Sequence, residues 1–405
     1  MRIPQFAVAA AVMAMLAMLP SARVGTAQAP SGTAPPATNV RDTAEALEQQ
    51  GELVPAEAAW REVLKMHPVD AEADAHIGFL EARQEHFKEA IGFYRKAMAL
   101  KPEMPGLRMN LGLSEFKAGE FHEAIATFAP LLKSAPAGSP DALRLATLIG
   151  LAHYGRGDYS EAIPFLKQAT AADASNLPFR LALAHSCLWT KQYQCVLDVY
   201  KEIVTLNAES AEADMLAGEA LDEMKDKTGA AEQFRAAVKA DPKMPDVHFG
   251  LGYLLWGLMK FDEAATEFQA EIANNPAHAQ ALAYLADCDI QLGHADAARP
   301  LLEKAVRIDA KIELAHIDLG VLASDAGQRE EALREFKTAE RLDPSDQNAH
   351  WRLARLYQSE GKKAEAKLEF DKTKSLQKAA DKSVFDQLHA AQAKGPGDSA
   401  AAPTQ

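Results

Sequence analysis

The chain has 405 residues, of which 48% are hydrophobic, 7% aromatic and 25% charged, so it carries enough apolar material for a large core. Acidic residues outnumber basic ones by 57 to 43. The resulting net charge of −14 argues against a general nucleic-acid-binding protein, because affinity for phosphate requires a surplus of lysine and arginine. Three cysteines are too few for a scaffold held together by disulfides.

The first 27 residues have the pattern of an export signal. Arg2 is followed by an uninterrupted apolar stretch, 7–19, and then by small residues that fit a cleavage site after Ala27. We therefore expect residues 1–27 to be removed and the mature chain to be exported, into the periplasm in a Gram-negative bacterium. The alternative is an uncleaved membrane anchor, although the apolar stretch is shorter than the roughly 20 residues of a membrane span. Residues 28–39, rich in proline, alanine and threonine, predict a disordered linker.

A repeat of 34 residues, with one step of 38, fills most of the remaining sequence. Its clearest marker is a small residue that recurs in successive segments: Ala44, Gly78, Gly112, Gly150, Ala184, Gly218, Gly252, Ala286, Gly320 and Ala354. A bulky residue follows at a fixed distance in each segment: Trp60, Tyr94, Phe128, Leu166, Tyr200, Phe234, Phe268, Leu302, Phe336 and Phe370. Because the two series stay in register, they indicate a tandem array rather than separate domains.

Each repeat predicts two antiparallel helices, because apolar residues recur at helical spacing on both sides of a turn. The turn carries a glycine in many repeats: Gly51, Gly119, Gly157, Gly293, Gly327 and Gly361. A proline, which cannot donate the next backbone hydrogen bond, is expected to end many second helices: Pro68, Pro102, Pro136, Pro242, Pro276 and Pro344. The small residue lets the two helices cross closely, and we expect the bulky residue to fill the space toward the next hairpin. One hairpin cannot bury its own apolar face, so neighbouring hairpins must stack.

The chain resembles the tetratricopeptide repeat family from about Ala37 to Ala380. The best matches are Gly78…Phe87…Ala90…Tyr94…Pro102 and Gly112…Phe121…Ala124…Phe128…Pro136. The resemblance implies an all-α solenoid, a right-handed superhelix of antiparallel helix hairpins, with about ten repeats over residues 40–380. Residues 381–394 predict a helix that caps the last repeat, and residues 395–405 predict a disordered tail.

Two repeats depart from the family pattern at their turns. Lys191 occupies the position of the turn glycine in the fifth repeat, and Lys225 and Lys227 lie at the turn of the sixth. We therefore expect these two hairpins to pack less regularly. Four inserted residues before Leu143 predict a local change in the superhelix between the third and fourth repeats.

The resemblance also implies that the first helix of every hairpin lines a concave groove. The positions that would face this groove in repeats three to seven are mainly apolar or aromatic: Met109, Leu113, Phe116, Leu148, Leu151, Tyr154, Leu181, Leu188, Trp189, Met215, Phe249, Tyr253 and Trp256. Contiguous exposed apolar surface is typical of an interaction site. The stripe therefore predicts a partner-binding groove, and the alternative is that a tight superhelix or a second copy of the chain buries it.

Beyond this stripe the expected lining becomes charged. Asp287, Asp318 and Asp325 form an acidic stretch, and Arg352 and Arg355 form a small basic end beside Trp351. A peptide with an apolar middle and a basic segment would suit such a gradient.

Motifs for catalysis are missing from the sequence, which contains no phosphate-binding loop, zinc-protease motif, nucleophile elbow or Cys-x-x-Cys. We therefore predict neither an enzyme nor a cofactor. His248, His316 and His350 share one repeat position in different hairpins, which predicts packing or hydrogen bonding rather than a metal site. Cys187 and Cys195 lie in the two helices of one hairpin. A disulfide between them is possible, but the position of Cys195 near the turn favours two free thiols.

Two functional hypotheses follow from these patterns. The first is a non-enzymatic scaffold of the cell envelope that binds a peptide or helical segment of another protein in the groove. The second is a self-associating structural or assembly factor, in which a homo-oligomer buries the same stripe. Neither hypothesis involves nucleic acid, a small-molecule substrate or a metal, and contact with the membrane requires that the signal sequence stays uncleaved.

Overall fold

The computed structural model describes residues 40–206 and 209–393, so the predicted signal peptide, linker and tail lie outside the described residues. The described chain forms α-helices and no strand. The helices are α1 (Val40–Gln50), α2 (Leu53–Met66), α3 (Ala71–Arg83), α4 (Phe87–Leu100), α5 (Leu107–Lys117), α6 (Phe121–Ser134), α7 (Pro140–Arg156), α8 (Tyr159–Ala172), α9 (Leu177–Trp189), α10 (Tyr193–Thr205), α11 (Ala211–Glu223), α12 (Lys227–Ala240), α13 (Val247–Gly257), α14 (Phe261–Asn274), α15 (Ala279–Gln291), α16 (Ala295–Ile308), α17 (Glu313–Asp325), α18 (Arg329–Leu342), α19 (Gln347–Ser359) and α20 (Lys363–Ala393). Odd-numbered helices are the first helices of the repeats, and even-numbered helices are the second.

The chain divides into two compact units, residues 1–233 and 234–405. In the first unit, α1 packs against α2, α3 against α4, and so on to α9 and α10, and each hairpin also packs against the next. In the second unit, the hairpins from α13–α14 to α19–α20 follow the same scheme. Each unit is therefore a stretch of helical solenoid, in which the substantial contacts join helices that are near neighbours in sequence.

The turn between the two helices of a hairpin has one conformation throughout the described repeats. One residue adopts a positive φ at each turn: Gly51, Glu85, Gly119, Gly157, Lys191, Lys225, Met259, Gly293, Gly327 and Gly361. The next amide then donates to a carbonyl five residues earlier, as Gln192 does to Cys187 at 2.8 Å and Asp226 does to Leu221 at 2.9 Å. The lysines in the fifth and sixth repeats, Lys191 and Lys225, thus keep the conformation that glycine has at the other turns.

The first and second helices cross where a small residue faces a bulky one. A Cβ atom added to Gly112 would lie 2.5 Å from the ring of Phe128, and one added to Gly320 would lie 2.5 Å from the ring of Phe336. The aromatic ring therefore packs on the small residue of its own hairpin. The same rings also belong to core clusters with buried residues of the next hairpin, as Phe128 does with Leu145 and Phe336 does with Leu353, so the expected filling of the space between hairpins is found as well.

Local chemistry sets the ends of many helices. The side chains of several residues accept hydrogen bonds from the first amides of first helices: Asp70, Ser139, Asn176, Ser210, His278 and Asp346. Second helices end two residues before the predicted prolines, as α4 does at Leu100 before Pro102 and α14 does at Asn274 before Pro276. The predicted role of these prolines as helix terminators is confirmed.

Two segments differ from the regular pattern in length. The four-residue insertion falls at the start of α7, which has 17 residues and begins with Pro140 after the cap residue Ser139. Residues 381–393 of the segment that was predicted to cap the last repeat continue α20, which runs without a break from Lys363 to Ala393. Lys394 lies outside the described residues.

Cys187 and Cys195 form a disulfide, with their Cα atoms 5.9 Å apart. The preference for two free thiols was therefore wrong. Cys195 is only partly exposed, and both cysteines lie close to the turn, Cys187 near the end of α9 and Cys195 near the start of α10, where the two sulfurs meet. Cys288 is a free thiol and is buried, as expected.

No helix within residues 40–206 and 209–393 combines the length and the apolar character that crossing a membrane requires.

Candidate functional site

The residues predicted to line the groove all lie on first helices, but they fall into two classes of exposure. Several are fully buried: Phe116, Leu148, Leu151, Tyr154, Met215 and Phe249. The others are half-buried: Met109, Leu113, Leu181, Leu188, Trp189, Tyr253 and Trp256. Only the second class presents side-chain surface that a partner could contact.

The buried class corrects the predicted groove. A first helix packs against its own second helix and against the neighbouring hairpins, which bury side chains on several of its sides. Phe116 packs edge-on against Phe121 with 5.5 Å between ring centroids, and Phe249 lies 4.8 Å from the ring of His278. These side chains hold the hairpins together and do not face a partner.

In the first unit, the exposed aromatic surface centres on Trp189. Its ring stacks on Tyr159 at 5.7 Å between centroids, and its Nε1 donates to His185 Nε2 at 3.2 Å. The other nitrogen of the buried His185 ring, Nδ1, lies 3.1 Å from the Tyr154 hydroxyl. Burial lowers the pKa of His185 from 6.5 to about 4, so the ring is neutral at pH 7. This cluster fixes the orientation of Trp189 at the surface.

The second unit contains a cleft of about 780 Å³ that is lined mainly by α13, α15, α17 and α19. One wall is aromatic. The ring of Tyr284 meets Trp256 edge-to-face at 5.0 Å between centroids and meets Tyr253 at 5.4 Å. Tyr253 and Trp256, both predicted from the sequence, therefore belong to one exposed aromatic cluster with Tyr284.

The rest of the cleft is strongly acidic. Among the described residues that line it, the acidic ones are Asp287, Glu313, Asp318, Asp343 and Asp346, and Arg352 is the one basic residue. Asp287 is satisfied, since its carboxylate accepts hydrogen bonds from Trp256 Nε1 and from Gln291 Nε2. Arg352 does not neutralise the acids directly, because its guanidinium lies over the ring of Trp351 and donates to Asn348 at 3.3 Å.

Two carboxylates of the cleft each have one oxygen atom without a hydrogen-bond partner. Asp318 is 5% exposed, and its Oδ2 atom accepts no hydrogen bond, while Oε1 of the half-buried Glu313 is also unpaired. Burial and the negative charge of Asp287 raise the pKa of Asp318 well above its usual value, against the opposing charge of Arg352. Burial, a hydrogen bond with Asp346 and the negative charges of Asp346, Asp343 and Asp318 raise the pKa of Glu313 to about 8. A positively charged group could therefore bind in the cleft beside these oxygen atoms.

Only some of the residues that we predicted to form the acidic stretch and the basic end line the cleft. Asp287, Asp318 and Arg352 line the cleft, whereas Asp325 is exposed and, like Arg355 and Trp351, does not. We missed Tyr284 and Glu313. Tyr284 had a signal, because Tyr284, Asp318 and Arg352 occupy the same position in consecutive 34-residue repeats.

Histidines on the first helices pair with glutamates on the second helices. His248, His316 and His350 contact Glu267, Glu335 and Glu369 at 2.6–2.7 Å. Nε2 of His316 also meets the Ala310 carbonyl at 3.1 Å, and the hydrogen bond with Glu335 raises the pKa of this histidine. The predicted hydrogen-bonding role of the three histidines is confirmed.

Two described side-chain groups have the spacing of metal ligands, and hydrogen bonds already occupy both. In the first, Asp246 pairs with His278 at 2.8 Å, while Glu271 accepts the backbone amides of Asp246 and Phe249. In the second, Lys372 donates to Glu340 and Glu369 at 2.8 and 3.0 Å, and Glu369 also pairs with His350. Both groups join helices of the second unit.

Among solved structures, the fold is similar to several proteins at low sequence identity. The crystal structure of MamA is 18% identical and aligns over 48% of this chain and 99% of that chain, with a TM-score of 0.36. YrrB, a TPR protein with an unusual peptide-binding site, is 19% identical over 44% of this chain and 92% of its own, with a TM-score of 0.36. The APC/C hetero-tetramer Cut9-Hcn1 is 14% identical over 83% of this chain and 74% of that chain, with a TM-score of 0.44. Among curated proteins, none matches the chain in sequence.

Sequence models of the tetratricopeptide repeat match most of the chain. One model matches residues 41–105, 109–176, 197–245, 249–311 and 317–382, and a second matches residues 153–217. These matches cover well over half of the sequence and follow the stacked hairpins of both units. The chain therefore belongs to the tetratricopeptide repeat family.

Proposed function

We propose that the mature chain is an exported, non-enzymatic scaffold that binds a segment of another protein along the exposed faces of its first helices. The observation that carries the proposal is the half-buried aromatic cluster of Tyr253, Trp256 and Tyr284 at the edge of an open cleft. Aromatic side chains that are partly exposed and held in place by neighbours are typical anchors of protein interfaces. In the first unit, Trp189 offers a second surface of the same kind.

Several features support a binding role in the cell envelope. Helix hairpins account for nearly all described residues, so a separate catalytic domain is not found among them. The Cys187–Cys195 disulfide suits an oxidising compartment such as the periplasm. The amino-terminal pattern supports export, and mass spectrometry of the mature protein tests it. The expected first residue is Gln28, and retention of residue 1 would show that the signal is uncleaved.

Photo-crosslinking in cells tests the binding surface. A photoreactive residue in place of Tyr253 should capture a discrete partner. The same residue in place of Leu368, an exposed apolar position on the second helix α20, should not. The double change Tyr253→Ala and Trp256→Ala should reduce capture through a probe at Ile290, which lines the same cleft, by about tenfold or more, while thermal unfolding remains cooperative.

The same experiment separates the two functional hypotheses. Crosslinks to a different protein support the scaffold. Crosslinks between copies of this chain, together with a molar mass that rises with concentration in light scattering, would show that the aromatic surface drives self-association instead. Equal capture from the Tyr253 and Leu368 positions would overturn the proposed surface.

A further inference from the structure

The cleft of the second unit combines three properties that together select a ligand. It has an aromatic wall formed by Trp256 and Tyr284, whose rings lie 5.0 Å apart between centroids. It has unpaired carboxylate oxygens on Asp318 and Glu313. It is open to solvent and has a volume of about 780 Å³, which is large enough for a long side chain together with part of its backbone.

The charge balance of the cleft favours an organic cation. Arg352 is the one basic residue among five acidic lining residues, and its guanidinium is engaged with Trp351 and Asn348. Leaving a buried carboxylate without a partner is costly, and a positively charged group placed beside it removes that cost. The acids of the cleft do not converge as metal ligands do, because the two described groups with that spacing lie elsewhere.

We propose that this cleft binds a lysine or arginine side chain of the partner segment, with its charge against Asp318 and Glu313 and its alkyl stem against Trp256 and Tyr284. The inference rests on the proposed scaffold function and specifies what the second unit recognises. Aromatic faces attract cations, and the stems of lysine and arginine cover apolar surface well. The raised pKa of Asp318 supports this assignment, because the charge of Arg352 does not offset burial, and a bound cation would supply the partner that Oδ2 lacks.

Matched peptides test the proposal. One fluorescent nonapeptide carries a central arginine between leucines, and its partner carries citrulline, which has the same shape without the charge. Fluorescence anisotropy with the full mature chain should give at least about tenfold tighter binding of the arginine peptide. Asp318→Asn should reduce this preference to less than about threefold, and Glu313→Gln should reduce it in part.

The control is Asp325→Asn, which removes the same charge from the same helix at an exposed position outside the cleft. It should leave the preference intact, and circular dichroism of all variants checks that they fold. Equal affinity of the wild-type chain for both peptides, or the same preference in the Asp318→Asn and Asp325→Asn chains, would overturn the assignment. If neither peptide binds while crosslinking at Tyr253 still captures a partner, the cation site is wrong and the scaffold proposal stands.

Discussion

The neighbours of the buried His185 determine which nitrogen of its ring carries the proton. The indole Nε1 of Trp189 can only donate, so His185 Nε2 must accept, and the ring proton lies on Nδ1 facing the Tyr154 hydroxyl. A second proton on Nε2 would place two donors against each other. Together with burial, this explains why the neutral ring is favoured in the folded chain.

Stability should therefore fall at acidic pH in a way that depends on His185. In the unfolded chain the imidazole binds a proton below about pH 6.5, but in the folded chain it does so only near pH 4, so the stability present above pH 6.5 is lost as the pH falls to 4. This loss amounts to about 2–3 kcal/mol. His185→Gln should flatten the change of Tm over this range.

The matched control for this measurement is His67→Gln, at an exposed histidine of the first unit. It should keep the wild-type dependence of Tm on pH. An identical pH dependence in the His185→Gln chain would contradict the neutral assignment.

At the scale of helices, the small and bulky residues of a hairpin act as one unit. The ring of Phe128 covers Gly112 so closely that even one methyl group has no space. Gly92, by contrast, lies within α4 on an exposed face, and nothing would lie within 4 Å of an added Cβ. The same residue type therefore has opposite roles in two adjacent hairpins.

Alanine substitutions at these two glycines should change stability in opposite directions. Gly92→Ala should stabilise the chain by about 0.5–1 kcal/mol, because alanine loses less backbone entropy in a helix. Gly112→Ala should destabilise it by about 1–3 kcal/mol, because the ring of Phe128 must move. Urea unfolding of the two variants measures both changes, and equal shifts would show that the crossing point tolerates a side chain.

The sequence predicts helices better than it predicts exposed surface. Turns, crossing points and proline stops depend on residues near in sequence, so Lys191 and Pro102 could be placed from the repeat alone. Whether Phe116 or Tyr154 is exposed depends on how closely neighbouring hairpins pack. The sequence of one repeat does not predict this packing. The position of Tyr284 follows from the repeat once Asp318 and Arg352 are known. That Asp318 Oδ2 has no partner depends instead on where the Arg352 side chain lies in three dimensions.

In each unit, the substantial contacts join helices that are near neighbours in sequence, and this determines how stability is distributed along the chain. The stability of a stacked array is approximately the sum of each hairpin and its interfaces with adjacent hairpins. A defect in one hairpin should therefore lower stability locally rather than uniformly.

Hydrogen exchange should reveal this locality. Gly112→Ala should speed amide exchange in α5, α6 and the adjacent hairpins, and leave α17 and α18 unchanged. Gly320→Ala, which forces the ring of Phe336 to move, should do the reverse. Faster exchange throughout the chain in either variant would indicate one cooperative unit instead.

The shared repeat position of Tyr284, Asp318 and Arg352 also bears on how this protein can change over evolution. Each of these residues contributes a different chemistry to the cleft, and Tyr284 also packs on the buried rings of Phe249 and Phe268. Exchanging the half-buried Arg352 would change the charge of the cleft without removing these ring contacts, and duplicating a hairpin would add another residue to the row. Specificity in such a chain can therefore diverge much faster than architecture.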